Sequence, residues 1–440
     1  MIKEAAVLDS MRGIIDPDLG KDIVSLGFIK DLSIDDGAVS FAVELTTPAC
    51  PVKEQFKQAC EAAVSALPGV SAVSVTMTAQ ARKASPGHAN TGLSKVKHII
   101  AVGSCKGGVG KSTVAVNLAF AIAASGAKVG IFDADIYGPS LTTMVKTKME
   151  GLYLGDDKLI VPAEYEGVKL MSFGYVTAGP AILRGPIVTN HLNQLLTGTN
   201  WGELDYLILD MPPGTGDVQL TICQLLPVTA AVMVTTPQQI SFVDVVKGIQ
   251  MFERLKVPTV AVVENMSYFL CDGCDKRHEI FGSGAMRRLV DQFGFRNTQQ
   301  IPIEPAVTTH GDSGRPLILA APESASAAAF RDLANSTVRE ISTLLHNGLR
   351  TPQVTAEPHG IVVADFDSEA VISPPVLRRA CGCAHCIDEM THVKRLRDED
   401  VSEDIKALKI ATMGNYAVTI DWSDGHSSIF PYERLAKLTK

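Results

Sequence analysis

The chain has 440 residues, 46% hydrophobic and 20% charged, a globular composition with ample apolar material for a sizeable core and more length than one ordinary domain needs. Its formal net charge is −8, with lysines and arginines dispersed, which excludes the electrostatic footprint of a nucleic-acid or anionic-membrane binder. No apolar run reaches membrane-spanning length, and Met1-Ile2-Lys3-Glu4 reads as a helix start unlike a signal or transit peptide, so the cytoplasm is the expected compartment.

Residues 1–80 read as a helix, the turn Asp16-Pro17-Asp18, an alternating segment at 39–45, a helix near 51–66 and a strand at 70–78. That order predicts a small α+β domain. Within Thr46-Thr47-Pro48-Ala49-Cys50-Pro51, Cys50 precedes a helix whose N-terminus would lower a thiol pKa. It is either an accessory reactive thiol or a buried structural cysteine. Cys60, mid-helix among alanines, belongs to the core. Residues 81–95, rich in Pro, Gly and small polar residues without periodicity, read as a linker.

From 96 to 346 apolar strands alternate with helical stretches, which predicts an α/β domain whose doubly wound, mostly parallel sheet is covered on both faces. Its first strand, at 96–102, runs into Ser104-Cys105-Lys106-Gly107-Gly108-Val109-Gly110-Lys111-Ser112-Thr113, and a helix follows. Strand, glycine loop and helix stand in the order of a P-loop NTPase. Glycines 107, 108 and 110 let backbone N–H groups approach a polyphosphate, Lys111 supplies charge, and the Ser112 hydroxyl can ligate Mg²⁺. The nucleotide-binding set is therefore Cys105 to Thr113, with ATP and Mg²⁺ as ligands. Cys105 stands where the general motif has glycine, either as a tolerated small residue or as a reactive thiol beside two lysines. Later strands end at Asp133-Ala134-Asp135, at Asp210, at Thr235-Thr236-Pro237 and at Glu264-Asn265, all expected to converge on the loop's rim. Asp210 is the second Mg²⁺ element, and Pro212-Pro213-Gly214-Thr215-Gly216-Asp217 forms a loop able to sense the γ-phosphate.

Two cysteine groups remain. Cys271-Asp272-Gly273-Cys274 is half of a Cys₄ site, and two subunits would complete it for a [4Fe-4S] cluster or zinc; a redox pair or zinc-ribbon fragment are the other readings. Cys223 reads as helix core. Residues 347–358 form a second expected linker, and 359–440 a small β-rich unit. There Cys381-Gly382-Cys383-Ala384-His385-Cys386 offers three thiolates, and tetrahedral Zn²⁺ needs one more ligand. His385 is sandwiched between two ligands, whereas His426 lies in the predicted hairpin turn Trp422-Ser423-Asp424-Gly425-His426, which favours His426.

Lys106-Gly107-Gly108-Val109-Gly110-Lys111-Ser112 resembles the deviant phosphate loop of the MinD, nitrogenase iron protein and Mrp group. That resemblance implies a homodimer in which Lys106 reaches the partner's nucleotide. Asp210 to Asp217 and Asp133-Ala134-Asp135-Ile136-Tyr137-Gly138-Pro139-Ser140 resemble the two switches of Mrp-type ATPases. Lys106, Lys111, Asp135 and Asp210 are then the catalytic set, Asp135 acting on the attacking water, while Asn265 helps bind adenine. For Asp133 a structural role at the strand end is expected. In this family the pair matching Cys271 and Cys274 carries a cluster bridging two subunits. The N-terminal unit resembles the MIP18 domain of iron-sulfur assembly factors. The C-terminal unit resembles the N-terminal domain of γ-butyrobetaine hydroxylase, where three cysteines and one histidine hold zinc. The domain order is like that of a plastid scaffold family for [4Fe-4S] clusters. Together these imply a dimeric ATPase that carries a cluster to apoprotein clients, with other iron-sulfur assembly factors as partners and neither nucleic acid nor membrane. The stroma becomes the alternative compartment if a transit peptide has been removed. A MinD-like partitioning ATPase or a metallochaperone for another ion are the competing functions.

Overall fold

The computed structural model describes residues 2–17, 19–45, 47–49, 52–79, 91–149, 151–176, 185–271, 273–295, 297–347, 352–364, 369–383, 385–388, 393–413 and 416–438. Cys50, Asp18 and Asp272 lie outside the described residues.

An eight-stranded sheet dominates the molecule. Its strands run in the spatial order Thr298–Gln300, Thr259–Glu264, Ala230–Thr235, Val96–Gly103, Leu204–Asp210, Val129–Asp133, Val168–Ser172 and Ala163–Tyr165. Every neighbouring pair is parallel except the last. Successive side chains of a strand point to opposite faces, so a sheet covered on both sides needs near-continuous apolar strands. Val96–Gly103 illustrates this: Ile100 and Val102 enter one core with the helices Lys111–Ala124 and Ala325–Asn347. Ile99 and Ala101 enter the other with Gly185–Gly198 and Gln239–Arg254. The helix Lys111–Ala124 is buried over most of its length, which its all-round apolar sequence demands.

The N-terminal unit is a three-stranded sheet in which Ala38–Leu45 pairs antiparallel with Ile29–Asp35 and parallel with Ala72–Ala79. Helices Glu4–Met11 and Lys53–Ser65 cover it through Val7, Met11, Phe56, Cys60 and Val64. The C-terminal unit holds two antiparallel three-stranded sheets around Leu377, Trp422 and Phe430.

Described residues at the edges of both expected linkers are packed or paired. Leu93 is buried in the central core, and Gly92 lies so close to the helix end that an added Cβ would stand 1.6 Å from Thr199 O, so only glycine fits. At the other junction Gln353–Glu357, inside the expected linker at 347–358, pairs antiparallel with Gly360–Ala364. Val354 is its single half-buried residue and the other four are exposed, a pattern too thin to read as a strand.

The outer units touch the central one. Thr47 is hydrogen-bonded to the Tyr206 hydroxyl, and Ala49, 1% exposed, belongs to the central core. The Phe295 and Tyr416 rings stack with centroids 4.2 Å apart. Among the described residues no helix is long and apolar enough to cross a membrane.

Candidate functional site

The phosphate loop joins the strand Val96–Gly103 to the helix Lys111–Ala124 at the carboxyl edge of the sheet. Gly108 and Gly110 have φ of +79° and +81°, the left-handed region where glycine carries no Cβ penalty. An added Cβ on Gly107 or Gly108 would meet nothing within 4 Å, so the loop's mouth is open, whereas one on Gly110 would stand 2.1 Å from Asn265 Nδ2. That amide donates to Val109 O at 2.9 Å. In this structure Asn265 therefore braces the loop from beneath. Ser104 Oγ donates to Lys106 O at 2.9 Å, and Ser104 O accepts from Gly214 N at 2.9 Å, tying the loop to the segment after Asp210.

Lys111 and Asp210 are 7% and 2% exposed and paired directly. The ammonium also donates to Ser112 Oγ at 3.2 Å, so a cation already sits between the hydroxyl and the carboxylate that are the candidate Mg²⁺ ligands. That donor set suits a hard cation. Asp133 behaves as a strand-end anchor: it is fully buried and accepts from Asp135 N, Ser140 N, Leu141 N and Ser172 Oγ at 3.0–3.1 Å. Burial and the nearby Asp210 push its carboxyl up, to about 7. Those bonds shape the turn that presents Asp135, half-buried, whose Oδ1 accepts from Gly138 N at 3.2 Å.

Two features correct or extend the sequence reading of the loop. Cys105 packs against Gly248 of the helix Gln239–Arg254, and burial pushes its thiol up to about 11, opposite to a reactive thiolate. Lys106 Nζ rests 3.5 Å from Asp244 Oδ2 on that helix. Asp244 carries no motif, and only the fold brings it to the loop. Cys60 and Cys223 are buried, as expected of core thiols, and burial raises them to about 11 and about 12.

Cys271 and Cys274 lie in the turn of a short hairpin, Phe269–Leu270 paired with Arg277–His278, that leaves the sheet after Asn265. Cys274 N donates to Cys271 O at 3.3 Å, as does Asp275 N at 2.8 Å, which folds the turn back on itself. Cys271 is half-buried and Cys274 exposed. Among the described residues no further Cys, His, Asp or Glu joins them in a group of three, so one subunit offers a pair.

The second group is complete within one chain. Cys381, Cys383, Cys386 and His426 place their ligand atoms within 4.8 Å of one another, and His426 Nε2 lies 3.3, 3.5 and 3.7 Å from the three sulfurs. His385 is exposed and outside the group. Hydrogen bonding from Cys381 pulls the Cys383 thiol down to about 4, while that same bond pushes the Cys381 thiol up and burial pushes the Cys386 thiol up. Sequence reading missed Arg378, 5% exposed, which donates to Cys386 Sγ at 3.4 Å and to Asp424 Oδ2 at 2.8 Å. Asp424 Oδ1 in turn accepts from His426 N at 2.9 Å. The chemistry of three thiols and one imidazole at this spacing fits Zn²⁺.

Comparison with known proteins follows the same three parts. The family model of ParA/NUBPL iron-transfer P-loop NTPases matches residues 95–338. That of iron-sulfur cluster assembly proteins matches residues 4–76, and that of γ-butyrobetaine hydroxylase-like N-terminal domains matches 355–436. The Fe-S cluster assembly factor HCF101, chloroplastic, of Arabidopsis thaliana is 50% identical over 445 residues, covering 99% of this chain and 83% of the relative. An iron-sulfur cluster carrier protein of Synechocystis is 43% identical over 350 residues, 78% of this chain and 99% of that one. A solved nucleotide-binding protein from Archaeoglobus fulgidus in complex with ADP is 37% identical, covers 51% of this chain and 88% of its own, and superposes with a TM-score of 0.46.

Proposed function

The chain belongs to the iron-transfer P-loop NTPases, and from that premise we propose that it is an iron-sulfur cluster carrier which binds [4Fe-4S] between two subunits and releases it to apoproteins under control of ATP. An Fe-S cluster assembly factor is its relative over 99% of the chain, and an iron-sulfur cluster carrier protein over 78% of it. One observation carries the placement of the cargo site. The strand Thr259–Glu264 leads through Asn265, whose side chain bonds to the phosphate loop, into the hairpin holding Cys271 and Cys274.

On ATP binding Lys111 exchanges Asp210 for the β/γ-phosphates, and the N–H groups of the loop and of the first helical turn close on their oxygens. Ser112 Oγ, with Asp210 behind it, would hold Mg²⁺, which would supply neutralisation of the charge on the phosphates. Asp135 orients the attacking water from the turn that Asp133 anchors. Lys106 leaves Asp244 and reaches the nucleotide of the partner subunit, so hydrolysis requires the dimer. Asn265, already against the loop, takes the adenine side. Four thiolates, two from each subunit, ligate the cluster as cargo.

Zn²⁺ in the C-terminal unit has a structural part. Its four ligands come from one chain, with Cys381 and Cys386 buried and Cys383 and His426 half-buried. For compartment, the chloroplastic address of the Arabidopsis relative supports the stroma, the alternative to the cytoplasm, and fractionation of tagged protein distinguishes them.

The test is anaerobic reconstitution of the full chain. Wild type should hold about four iron atoms per dimer, matching a Cys₄-ligated cubane, and deliver them to an apo-acceptor. Cys271→Ala, Cys274→Ala should load and deliver none. Undiminished loading by that double variant would remove the cargo site from the hairpin.

A further inference from the structure

The loop after Asp210 is the expected nucleotide sensor, yet the strand order separates it from the cysteine hairpin. Ala230–Thr235 and Val96–Gly103 stand between Leu204–Asp210 and the strand Thr259–Glu264 that feeds the hairpin. What joins the hairpin to the nucleotide is the turn at residues 264–268. On its loop side, Asn265 Nδ2 bonds to Val109 O at 2.9 Å while Asn265 N is fixed to Thr235 O at 2.9 Å.

On its other side stands Glu264, a carboxyl 1% exposed. Its Oε1 accepts from Ser267 Oγ at 2.6 Å and Gln300 Nε2 at 2.9 Å, and its Oε2 accepts from Met286 N at 3.2 Å. Ser267 opens the segment that leads to Cys271. Met286 closes that segment in the first turn of the helix Ala285–Phe293, and Gln300 ends the edge strand. Both limbs of the hairpin are thus fastened to one side chain where water cannot replace a lost bond. Backbone bonds from Ile301 N to Glu264 O (3.0 Å) and from Ser267 N to Ile301 O (2.9 Å) stiffen the same point. Met266, between Asn265 and Ser267, has φ of +55°, a conformation a non-glycine residue holds only when its surroundings fix it.

We propose that Glu264 is a positioning residue that fastens both limbs of the Cys271–Cys274 hairpin to the strand end carrying Asn265, so that movement of the phosphate loop at Val109 is delivered to the two thiols. The inference rests on the reading that those thiols hold the cargo. When the loop closes on phosphates, the Val109 carbonyl shifts and the side chain of Asn265 follows. Because the turn behind it is clamped at three points, the displacement moves the hairpin as a body instead of dissipating in side-chain rotations. Without the clamp, the loop still closes but the hairpin no longer responds.

The readout is the alkylation rate of Cys271 and Cys274 by iodoacetamide, resolved by peptide mass spectrometry. It is measured on the cluster-free full chain without nucleotide, with Mg-ADP and with a non-hydrolysable ATP analogue. In wild type the rates should differ by about fivefold or more between nucleotide states, the scale of an ordinary coupling between sites. Glu264→Gln offers one acceptor oxygen in place of two, and should bring the ratio to near one while changing nucleotide affinity by no more than about twofold. Ser267→Ala removes a single bond and should shrink the ratio partway, and it serves if the Glu264 variant fails to fold. A role confined to stability would lower the melting temperature and raise all rates together, leaving the ratio intact. A wild-type ratio of one, or a wild-type ratio persisting in Glu264→Gln (or in Ser267→Ala if that variant must stand alone), overturns the proposal. Failure of the cargo reading is separate: it shows as normal iron loading in the Cys271→Ala, Cys274→Ala chain, an assay independent of alkylation.

Discussion

Replacing His426 by alanine should weaken metal binding in the C-terminal unit by about two orders of magnitude. Zinc bonds of about 2.3 Å to sulfur and about 2.0–2.1 Å to nitrogen, at tetrahedral angles, require sulfur and nitrogen about 3.5 Å apart. The three distances to Nε2 are 3.3, 3.5 and 3.7 Å, so the ligands already stand around a position for the ion. Structural zinc binds with about 10–16 kcal/mol, and one ligand of four therefore carries about 3 kcal/mol, or about 10²-fold in affinity. The assay is competition of the full chain against a chromophoric chelator, with His385→Ala as the control. That variant should bind as wild type does, since His385 is exposed and outside the cluster. Undiminished affinity in His426→Ala with loss in His385→Ala would refute the ligand assignment.

Lys111→Ala should abolish hydrolysis and also lower the melting temperature, because it leaves Asp210 buried without its cation, a change that costs about 3–5 kcal/mol for a buried pair; an active variant would dismiss the phosphate-loop role. Lys106→Ala should keep the fold and ADP binding, since its ion pair with Asp244 is partly exposed, yet lose about 10³-fold or more in turnover as a charge supplied across the dimer does; full activity would end the dimer argument. Glu253 tests the pH dependence of stability. Burial raises its pKa from 4.5 to about 8, and its Oε1 has no hydrogen-bond partner. The folded state thus holds a proton that the unfolded chain has already released, so stability should fall as pH rises from 4.5 to about 8 and level off above. Glu253→Gln should remove a slope worth on the order of 2 kcal/mol after allowance for its partial contact with solvent, and identical denaturant midpoints across that range in both proteins would contradict it.

The parts of the molecule that were legible in sequence are those whose chemistry forces adjacent residues into one pattern. A phosphate loop must place glycines and Lys111 within a few positions of each other, and Asp133 and Asp210 must end strands, because only a strand's carboxyl edge faces the ligand. His426 was legible for a related reason: a two-stranded hairpin returns its turn to a fixed place, and the turn carries an imidazole free of the steric conflict that His385 meets between its neighbouring thiols. Asp244, Glu264 and Arg378 were not legible, since each is an ordinary charged residue within an element and meets its partner only after distant segments pack. The pair Cys271 and Cys274 shows the boundary between the two. Its spacing announces metal chemistry, but its relation to the nucleotide depends on Asn265 reaching across to Val109 and on Glu264 gripping Ser267, Met286 and Gln300. None of those four contacts has a spacing rule. A mutation scan guided by motifs alone would therefore stop at the cysteines and the lysines, and would pass over Glu264, which grips the segments on both sides of the hairpin.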